Sequence, residues 1–175
     1  TTVALGPYAT QFLADFGADI IKVEPPGGDP LRAIRPGRRD DLGVVFLNFN
    51  RNKRSIAVDL KQDRGRKVLH DLVGTMDVFV HNMRLSSAAA MGASYEELAL
   101  INPSLVYCYS PGYGARGPDR EAPAYDDTIQ ARSGLVALNA DTDGDPQFVR
   151  TIVCDKVVGL HLALAVVSGV VRRAK

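Results

Sequence analysis

The chain has 175 residues, of which 46% are hydrophobic and 23% charged, a composition typical of a globular domain with a core of its own. The net charge of +1 provides no overall field for nucleic acid or an anionic membrane, and the two cysteines form no metal-binding spacing and no disulfide framework. These features exclude a strongly basic nucleic-acid binder and a disulfide-rich secreted domain. We expect a cytoplasmic protein with no nucleic-acid or membrane partner and no metal site.

The first half of the chain alternates between helical and strand patterns. Residues 7–16 have helical spacing and are followed by Gly17, which suits a left-handed helix stop. The run 19–24 predicts a strand, and the basic, glycine-containing residues 32–44 predict an irregular segment. A second strand at 55–60, a helix at 63–75 with Val68, Leu69 and Leu72 on one face, and a third strand at 77–82 follow.

The second half continues the alternation. Ser94 precedes Glu97 by three residues, the form of a capping box at a helix start. A fourth strand is predicted at 104–110, a Gly- and Pro-rich coil at 111–123, and helices at 126–138 and 155–173. This order predicts an α/β fold over residues 1–175, one domain with a mostly parallel sheet flanked by helices.

The last predicted helix contains a long apolar run. Residues 157–171 form the longest apolar stretch of the chain, which is interrupted by His161. The run is shorter than the ~20 residues that span a bilayer. It therefore predicts a buried core helix.

A glycine-rich motif follows the fourth strand. Residues 112–117, GYGARG, match the pattern G-x-G-x-x-G. A dinucleotide site needs a helix to begin there, so that its N-terminus faces the pyrophosphate, but coil follows instead. A flexible turn is favoured over NAD or FAD binding.

Other chemically suggestive residues have ordinary interpretations. Cys154 and His161 lie seven positions apart on one predicted helix, ~10 Å by helical rise, which is too far for direct proton transfer. His70 and His81 have no partner in the sequence. A solvated surface is favoured over a phosphate site for the basic residues Arg32, Arg35, Arg38, Arg39, Arg51, Lys53, Arg54 and Lys61.

Asp155 is a single carboxylate at the start of the apolar helix, and two interpretations remain open for it. It is an acceptable N-cap, a role that Asn would keep and Ala would lose. The helix N-terminus also favours an ionised carboxylate, the form that attacks an acyl carbonyl. The two roles are compatible.

Five blocks of the sequence together resemble the family III CoA-transferases, a group that includes formyl-CoA transferase, carnitine CoA-transferase and α-methylacyl-CoA racemase. The blocks are LADFGADIIKVEPPGGDPLR (13–32), NRNKRSIAVDLKQDRGR (50–66), DVFVHNMR (77–84), INPSLVYCYSPGYGARGP (101–118) and AYDD (124–127). Members of the family are more than twice this length. We therefore expect the chain to be the N-terminal portion of a longer enzyme.

The resemblance implies a fold, partners and a reaction. The fold is a Rossmann-like large domain in an interlocked homodimer. The implied reaction transfers coenzyme A between an acyl-CoA thioester and a carboxylic acid, with CoA as substrate and no permanently bound cofactor. Asp155 matches the family's nucleophile, which forms a covalent aspartyl intermediate.

The resemblance also implies CoA contacts. The matching positions are Ala4, Leu5, Val58, Asp59, Leu60, Lys61, Asn82, Met83, Arg84, Pro123, Ala124, Tyr125 and Asp126. Among them Lys61 could meet a phosphate, and residues 123–126 line the thioester end. Leu85 and Ser86 replace the family's Pro and Gly, and Pro25 and Ala90 stand where basic residues are common. These departures bear on CoA affinity and not on the fold.

One position separates transfer from racemisation. The racemase branch of the family has His immediately before the Asp of residue 126, and this chain has Tyr125. A phenol is ordinarily a poor general base at neutral pH. Transfer is therefore favoured over α-methylacyl-CoA racemisation, and a non-catalytic Rossmann-like binding domain remains the alternative outside enzymes.

Overall fold

The computed structural model describes residues 1–37 and 39–175, so Arg38 of the basic set lies outside the described residues. Helices and strands alternate along these residues in a mixed α/β fold. The helices are α1 (Leu5–Asp15), α2 (Val44–Asn50), α3 (Asp63–Val73), α4 (Leu85–Ala90), α5 (Tyr95–Ile101), α6 (Asp126–Arg132), α7 (Leu135–Leu138) and α8 (Val153–Arg173), with a 3-10 turn at Pro30–Ala33. The strands are β1 (Ile20–Glu24), β2 (Lys53–Ala57), β3 (Val78–His81) and β4 (Val106–Tyr109).

All four predicted strands are present, and they pair in parallel. In the first pair Ile20 of β1 lies opposite Lys53 of β2, and in the second Val78 of β3 lies opposite Val106 of β4. The predicted α/β fold with parallel strands is confirmed, but within the described residues the strands form two separate two-stranded sheets rather than one. A cavity of about 820 Å³, lined by residues of both β1 and β3, lies between them.

Two apolar clusters hold the layers together. One lies between α3, α5 and the loop before α5, and its buried members are Leu69, Val73, Ala93 and Leu98. Within α3, the buried pair Leu69 and Val73 is spaced by one turn, so the expected core residue Val68 turns toward solvent and is 38% exposed.

The second cluster joins α1 to α8. Ala9 packs against Leu162 and Ala163. The helices approach closely at Gly159, where an added Cβ would stand 3.0 Å from the carbonyl oxygen of Leu5 and from the Tyr8 ring. This contact places the start of α1 beside the first half of α8.

Several boundaries follow from local chemistry. Gly17 adopts φ +99°, as expected for its left-handed stop, and the capping box between Ser94 and Glu97 is present. The predicted helix at 126–138 divides into α6 and α7 because Gly134 adopts φ +80°, which a right-handed helix cannot contain. The short helices α2 and α4 were not predicted, since six or seven residues carry little periodicity.

Helix α8 is longer than its apolar run. Its 21 residues have a mean hydropathy of 1.7 over the most apolar window, so its length and composition alone would allow it to cross a membrane. A core helix passes the same test, although only 17% of that window is buried here. Leu162, Ala163 and Val166 pack inward, whereas Leu164 and Val171 are exposed.

Candidate active site

The expected N-cap role of Asp155 is wrong. Helix α8 begins at Val153, so Asp155 is its third residue, inside the first turn. The N-cap is Ile152, which offers no side-chain hydrogen bond. The helix therefore starts two residues earlier than predicted.

The Asp155 carboxyl is half-buried, and its electrostatic environment is unusual. Burial raises its pKa, and the nearby negative charge of Asp126 raises it further, to about 6. At pH 7 a carboxyl with this pKa is still mostly ionised, by about ten to one. The site therefore holds a basic carboxylate in its charged form.

Helix α6 provides the neighbour of Asp155. It opens after Tyr125, whose backbone is extended, and carries Asp126 and Asp127 in its first turn. Asp126 is buried, and its Oδ1 accepts a hydrogen bond from the Asp155 backbone N–H at 2.9 Å. Pro123 and Tyr125 are exposed beside it, so of the four residues 123–126 only the last is fully enclosed.

A buried amide completes this junction. Gln130, one turn along α6, donates from Nε2 to Asp126 Oδ2 at 2.6 Å. Its Oε1 accepts the backbone N–H of Val149 at 2.9 Å. The side chains of Asp126 and Gln130 thus tie the segment before α8, and the first turn of α8, to α6.

The loop before α1 meets the turn after β3. The Asn82 side chain accepts the Thr2 N–H and donates to the Thr2 carbonyl oxygen, both at 3.0 Å. Ala4 and Leu5 follow this anchor directly, and Leu5 lies beside Gly159, about one helical turn from Asp155. The structure therefore brings Asn82 to the loop of Ala4 and Leu5, and that loop near the candidate nucleophile.

Other predicted CoA positions line the cavity between the two sheets. Val58, Asp59, Leu60, Lys61 and Met83 lie on its wall. Asp59 shapes the turn by accepting the Lys61 backbone N–H at 3.0 Å, and the Lys61 side chain is exposed at its edge. Arg84 is exposed and forms the N-cap position of α4. Residues 123–126 and Asp155 do not line this cavity.

Sequence reasoning missed the support beneath Met83. Buried His81 accepts the Met83 N–H at Nδ1 (3.2 Å), and its Nε2 lies 2.6 Å from the Tyr107 hydroxyl. Tyr107 in turn donates to the Ala93 carbonyl oxygen at 2.9 Å, so Nε2 carries the proton toward Tyr107. Burial lowers the pKa of His81 to about 4, which keeps the ring neutral. The signal that could have found this contact was the pairing of β3, which carries His81, with β4, which carries Tyr107.

The alternative sites find little support among the described residues. No helix begins at residues 112–117, as a dinucleotide site requires, and the next helix is α6. Burial, with the charges of Asp126 and Asp155, raises the pKa of Cys154, and His161 Nδ1 lies 2.8 Å from the Val157 carbonyl oxygen. These environments do not favour Cys154 as a nucleophile with His161 as its base.

Most of the basic set is engaged by the protein itself. Arginines of the set pair with carboxylates in Arg32–Glu24, Arg35–Asp40, Arg39–Asp41, Arg51–Asp15 and Arg54–Asp19. Lys53 donates to the Pro7 and Phe49 carbonyl oxygens at 2.7 Å, and burial lowers its pKa to about 7. A solvated, internally paired surface fits these contacts better than a phosphate cradle.

Comparison with known proteins identifies relatives along the whole chain. Residues 1–175 match the family model described as CoA-transferase family III. The chain is 38% identical to human succinyl-CoA:glutarate CoA-transferase, covering 100% of this chain and 40% of the relative. It is also 38% identical to acetyl-CoA:oxalate CoA-transferase of Acetobacter aceti, covering 100% of this chain and 45% of the relative.

Solved structures give the same fold. A CAIB/BAIF family protein from Brucella suis superposes with a TM-score of 0.94 at 36% identity, covering 99% of this chain and 47% of that one. A hypothetical protein from Mycobacterium tuberculosis, Rv3272, gives 0.92 at 33% identity, covering 100% and 49%. The chain thus spans less than half the length of these relatives.

Proposed function

The chain belongs to CoA-transferase family III, and from this membership we propose that the protein transfers coenzyme A from an acyl-CoA thioester to a carboxylic acid. The observation that carries the proposal is Asp155. It is a half-buried carboxylate in the first turn of a long helix, with a pKa of about 6. Such a group is ionised at neutral pH and more basic than an ordinary aspartate, both of which favour attack on a carbonyl carbon.

The proposed reaction is a covalent relay. Asp155 Oδ attacks the thioester carbonyl, the C–S bond breaks, and CoA leaves as a thiolate, so that the acyl group remains on Asp155 as a mixed anhydride. The thiolate then attacks the aspartyl carbonyl of the anhydride, which releases the donor's carboxylate and leaves an aspartyl-CoA thioester. The acceptor carboxylate attacks the carbonyl of that thioester, the C–S bond breaks, and a second anhydride forms with release of the CoA thiolate. The returning thiolate attacks its acceptor carbonyl, giving the new acyl-CoA and free Asp155.

The helix N-terminus supports these steps. The backbone N–H groups of the first turn have no intrahelical acceptors, and their partial positive charge favours anions. The carboxylate before attack and the aspartate released at the end both gain from it. The relay divides the exchange of CoA between two carboxylates into several steps. Because thiolate is a good leaving group in these steps, each barrier is lower.

CoA is proposed to lie along the residues that match the family's contacts. Ala4 and Leu5, anchored by Asn82, would hold the part of CoA that approaches Asp155. Residues 58–61 would take the far end, with exposed Lys61 pairing with a phosphate. Met83, Arg84 and residues 123–126 complete the proposed contacts. CoA is a substrate here, and no permanently bound cofactor is proposed.

The acceptor is proposed to be a small dicarboxylic acid. The relatives named above act on glutarate and oxalate, both dicarboxylates. We further propose a cytoplasmic, interlocked homodimer. Exposed apolar side chains along α8, among them Leu160, Leu164 and Val167, support an additional covering surface.

Racemisation is the weaker alternative on the same scaffold. It needs a second proton-transfer group next to the thioester, and Tyr125 stands at the position where the racemase branch has His. The Tyr125 side chain is 64% exposed, and the structure shows no hydrogen bond that would activate it within the described residues. A phenol in this setting is a poor general base.

Trapping with hydroxylamine tests the proposal. The full-length protein is incubated with succinyl-CoA and then with hydroxylamine, and tryptic peptides are analysed by mass spectrometry. A covalent aspartyl species gives a hydroxamate at Asp155, which the Asp155→Asn variant cannot form. Exchange of CoA between succinyl-CoA and glutarate without any hydroxamate would overturn the covalent mechanism. Binding of CoA without exchange to any dicarboxylate would indicate a non-catalytic domain.

A further inference from the structure

The contact between Asp126 and the backbone of Asp155 has no role in the function proposed so far. The two residues are 29 positions apart in the sequence, and the bond joins two helices. Asp126 is only 9% exposed, and both of its oxygens are occupied, one by Asp155 N–H and the other by Gln130 Nε2. A buried carboxylate placed here costs free energy of desolvation, so its presence calls for a reason.

Helix α8 lacks a cap from its own sequence. The first four N–H groups of a helix have no intrahelical partner, and a polar N-cap side chain usually satisfies one of them. Ile152 occupies that position in α8 and makes no side-chain bond. Asp126 accepts the N–H of the third helical residue, the same group that a local cap would reach. The cap of α8 is therefore supplied by α6.

We propose that Asp126 is a positioning residue for the Asp155 nucleophile, fixing the backbone of that residue through a carboxylate cap from α6. The proposal rests on the function proposed above. Because the bond is made to Asp155 itself, movement of Asp126 moves the nucleophile. Gln130 holds Asp126 in turn, and its contact with Val149 N–H ties the approach to α8 into the same unit.

The charge of Asp126 gives the contact a second consequence. Burial is the larger cause of the raised pKa of Asp155, and the charge of Asp126 is the other. A neutral oxygen could also accept this N–H. An asparagine here would, however, set its NH2 group against Gln130 Nε2, which donates to Asp126 Oδ2. A carboxylate in that place also makes Asp155 more basic, which strengthens it as a nucleophile while leaving it ionised at neutral pH.

The other titratable groups around Asp155 belong to α8, α1, β4 and α6. On α8, Cys154 precedes it and Lys156 follows, but Lys156 Nζ is bonded to Thr151 Oγ1 at 2.7 Å. From α1, Tyr8 reaches α8 at Gly159, one turn further along. From β4, Cys108 packs against the second apolar cluster, about two turns away. Beside Asp126 on α6, Asp127 is exposed.

The test compares Asp126→Asn with Asp127→Asn in the full-length enzyme. Both variants remove one negative charge from the first turn of α6, but only the first changes the group bonded to Asp155. The rate of CoA exchange between succinyl-CoA and glutarate is measured from pH 4.5 to 8. For Asp126→Asn we expect the acid limb to move to lower pH by about half a unit or more, with kcat lowered at least about 10-fold. Asp127→Asn should leave both unchanged.

A direct titration follows the same groups without substrate. With carboxyl-¹³C aspartate, the Asp155 resonance should titrate near pH 6 in the parent enzyme and at lower pH in Asp126→Asn. The parent also provides a measurement that needs no variant. Because the two carboxyls interact, the Asp126 resonance should shift as Asp155 titrates, and the Asp127 resonance should not. This holds even if Asp126→Asn fails to fold.

The outcomes separate this proposal from the proposed function. An unchanged acid limb in Asp126→Asn, or an Asp126 resonance that ignores the Asp155 titration, overturns the positioning role. Full activity of Asp155→Asn, with deamidation excluded by mass spectrometry, overturns the proposed nucleophile instead. An inactive Asp155→Asn variant together with an unshifted Asp126→Asn profile rejects the role of Asp126 alone.

Discussion

Two carboxylates that are at least partly buried in this chain have pKa values shifted in opposite directions. Burial would raise the pKa of Glu24, at the end of β1, but hydrogen bonds from Arg32, Ser55 and the Asp29 N–H lower it to about 2. Asp155, at the start of α8, has its pKa raised to about 6 by burial and by Asp126. No ion pair involves Asp155 within residues 1–37 and 39–175.

The two pKa shifts differ because the two carboxylates have different hydrogen-bonding and charged partners. Around Glu24, Arg32 donates two bonds of 2.7 and 2.8 Å and Ser55 one of 2.6 Å, so its charge is fully compensated. Around Asp155 the charge that shifts its pKa, that of Asp126, has the same sign. A compensated carboxylate stabilises a fold and is chemically inert, whereas an uncompensated one is basic and costs stability. This contrast separates a structural acid from a reactive one.

The largest expected effect is on activity at Asp155. Asp155→Asn should lower CoA exchange at least about 1,000-fold, because an amide cannot act as the attacking carboxylate. Asp155→Ala should lose as much activity. It should not lose the stability that a helix cap provides, since the side chain of Asp155 does not cap α8. Initial rates with succinyl-CoA and glutarate, and thermal melts of both variants, check this. Marked destabilisation of the Ala variant alone would restore the capping interpretation.

The largest expected effect on stability is at Glu24. Glu24→Gln should destabilise the fold by about 3 kcal/mol at pH 7, because it leaves the partly buried Arg32 without its countercharge. Since the folded pKa of Glu24 is depressed from 4.5 to about 2, its contribution is present above about pH 4.5 and is lost as pH falls toward 2. Urea unfolding at pH 7 and pH 3 should show the variant's deficit shrinking.

A surface carboxylate provides the control for this loss. Asp71 pairs with Lys67 in an exposed i,i+4 bridge, with both side chains more than half exposed. Asp71→Asn should change the free energy of unfolding by less than about 0.5 kcal/mol. Equal losses in the two variants would mean that partners and burial do not distinguish Glu24.

The sequence predicted the elements better than their arrangement. The four strands, the capping box and the left-handed Gly17 follow from local patterns, and all are present. The role of Glu24 could not be predicted, because Arg32, Ser55 and Asp29 converge on it only through the pairing of β1 with β2 and the turn after β1. Likewise Asp155 was identified by position and resemblance. The residue that caps its helix is Asp126 of α6, 29 residues earlier. Contacts between distant segments leave no local signal.

A smaller effect concerns the stability cost of Asp155. Its folded pKa is raised above the unfolded value of 3.8, so its ionised form destabilises the fold above about pH 6 and carries no cost below about pH 4. The full shift corresponds to about 3 kcal/mol, which solvent screening of a half-exposed group reduces to about 1 kcal/mol. Asp155→Asn should therefore be more stable than the parent at pH 8 and equal to it at pH 4. Urea midpoints at the two pH values measure this, and a less stable variant at pH 8 would contradict it.

The smallest expected effect tests whether the compensation of Glu24 is shared among its donors. Ser55 Oγ donates to Glu24 Oε1, the same oxygen that receives Arg32 Nη2. Ser55→Ala removes one donor and leaves the ion pair, so the pKa of Glu24 should rise but stay below 4.5, and stability at pH 7 should fall by about 1 kcal/mol. Ser55→Thr keeps the hydroxyl on a strand-favouring residue and should behave as the parent. The midpoint of acid unfolding should therefore move to higher pH in the Ala variant only. An unmoved midpoint would show that Arg32 alone sets the charge of Glu24, which would sharpen the contrast with Asp155 to the presence or absence of a single cation.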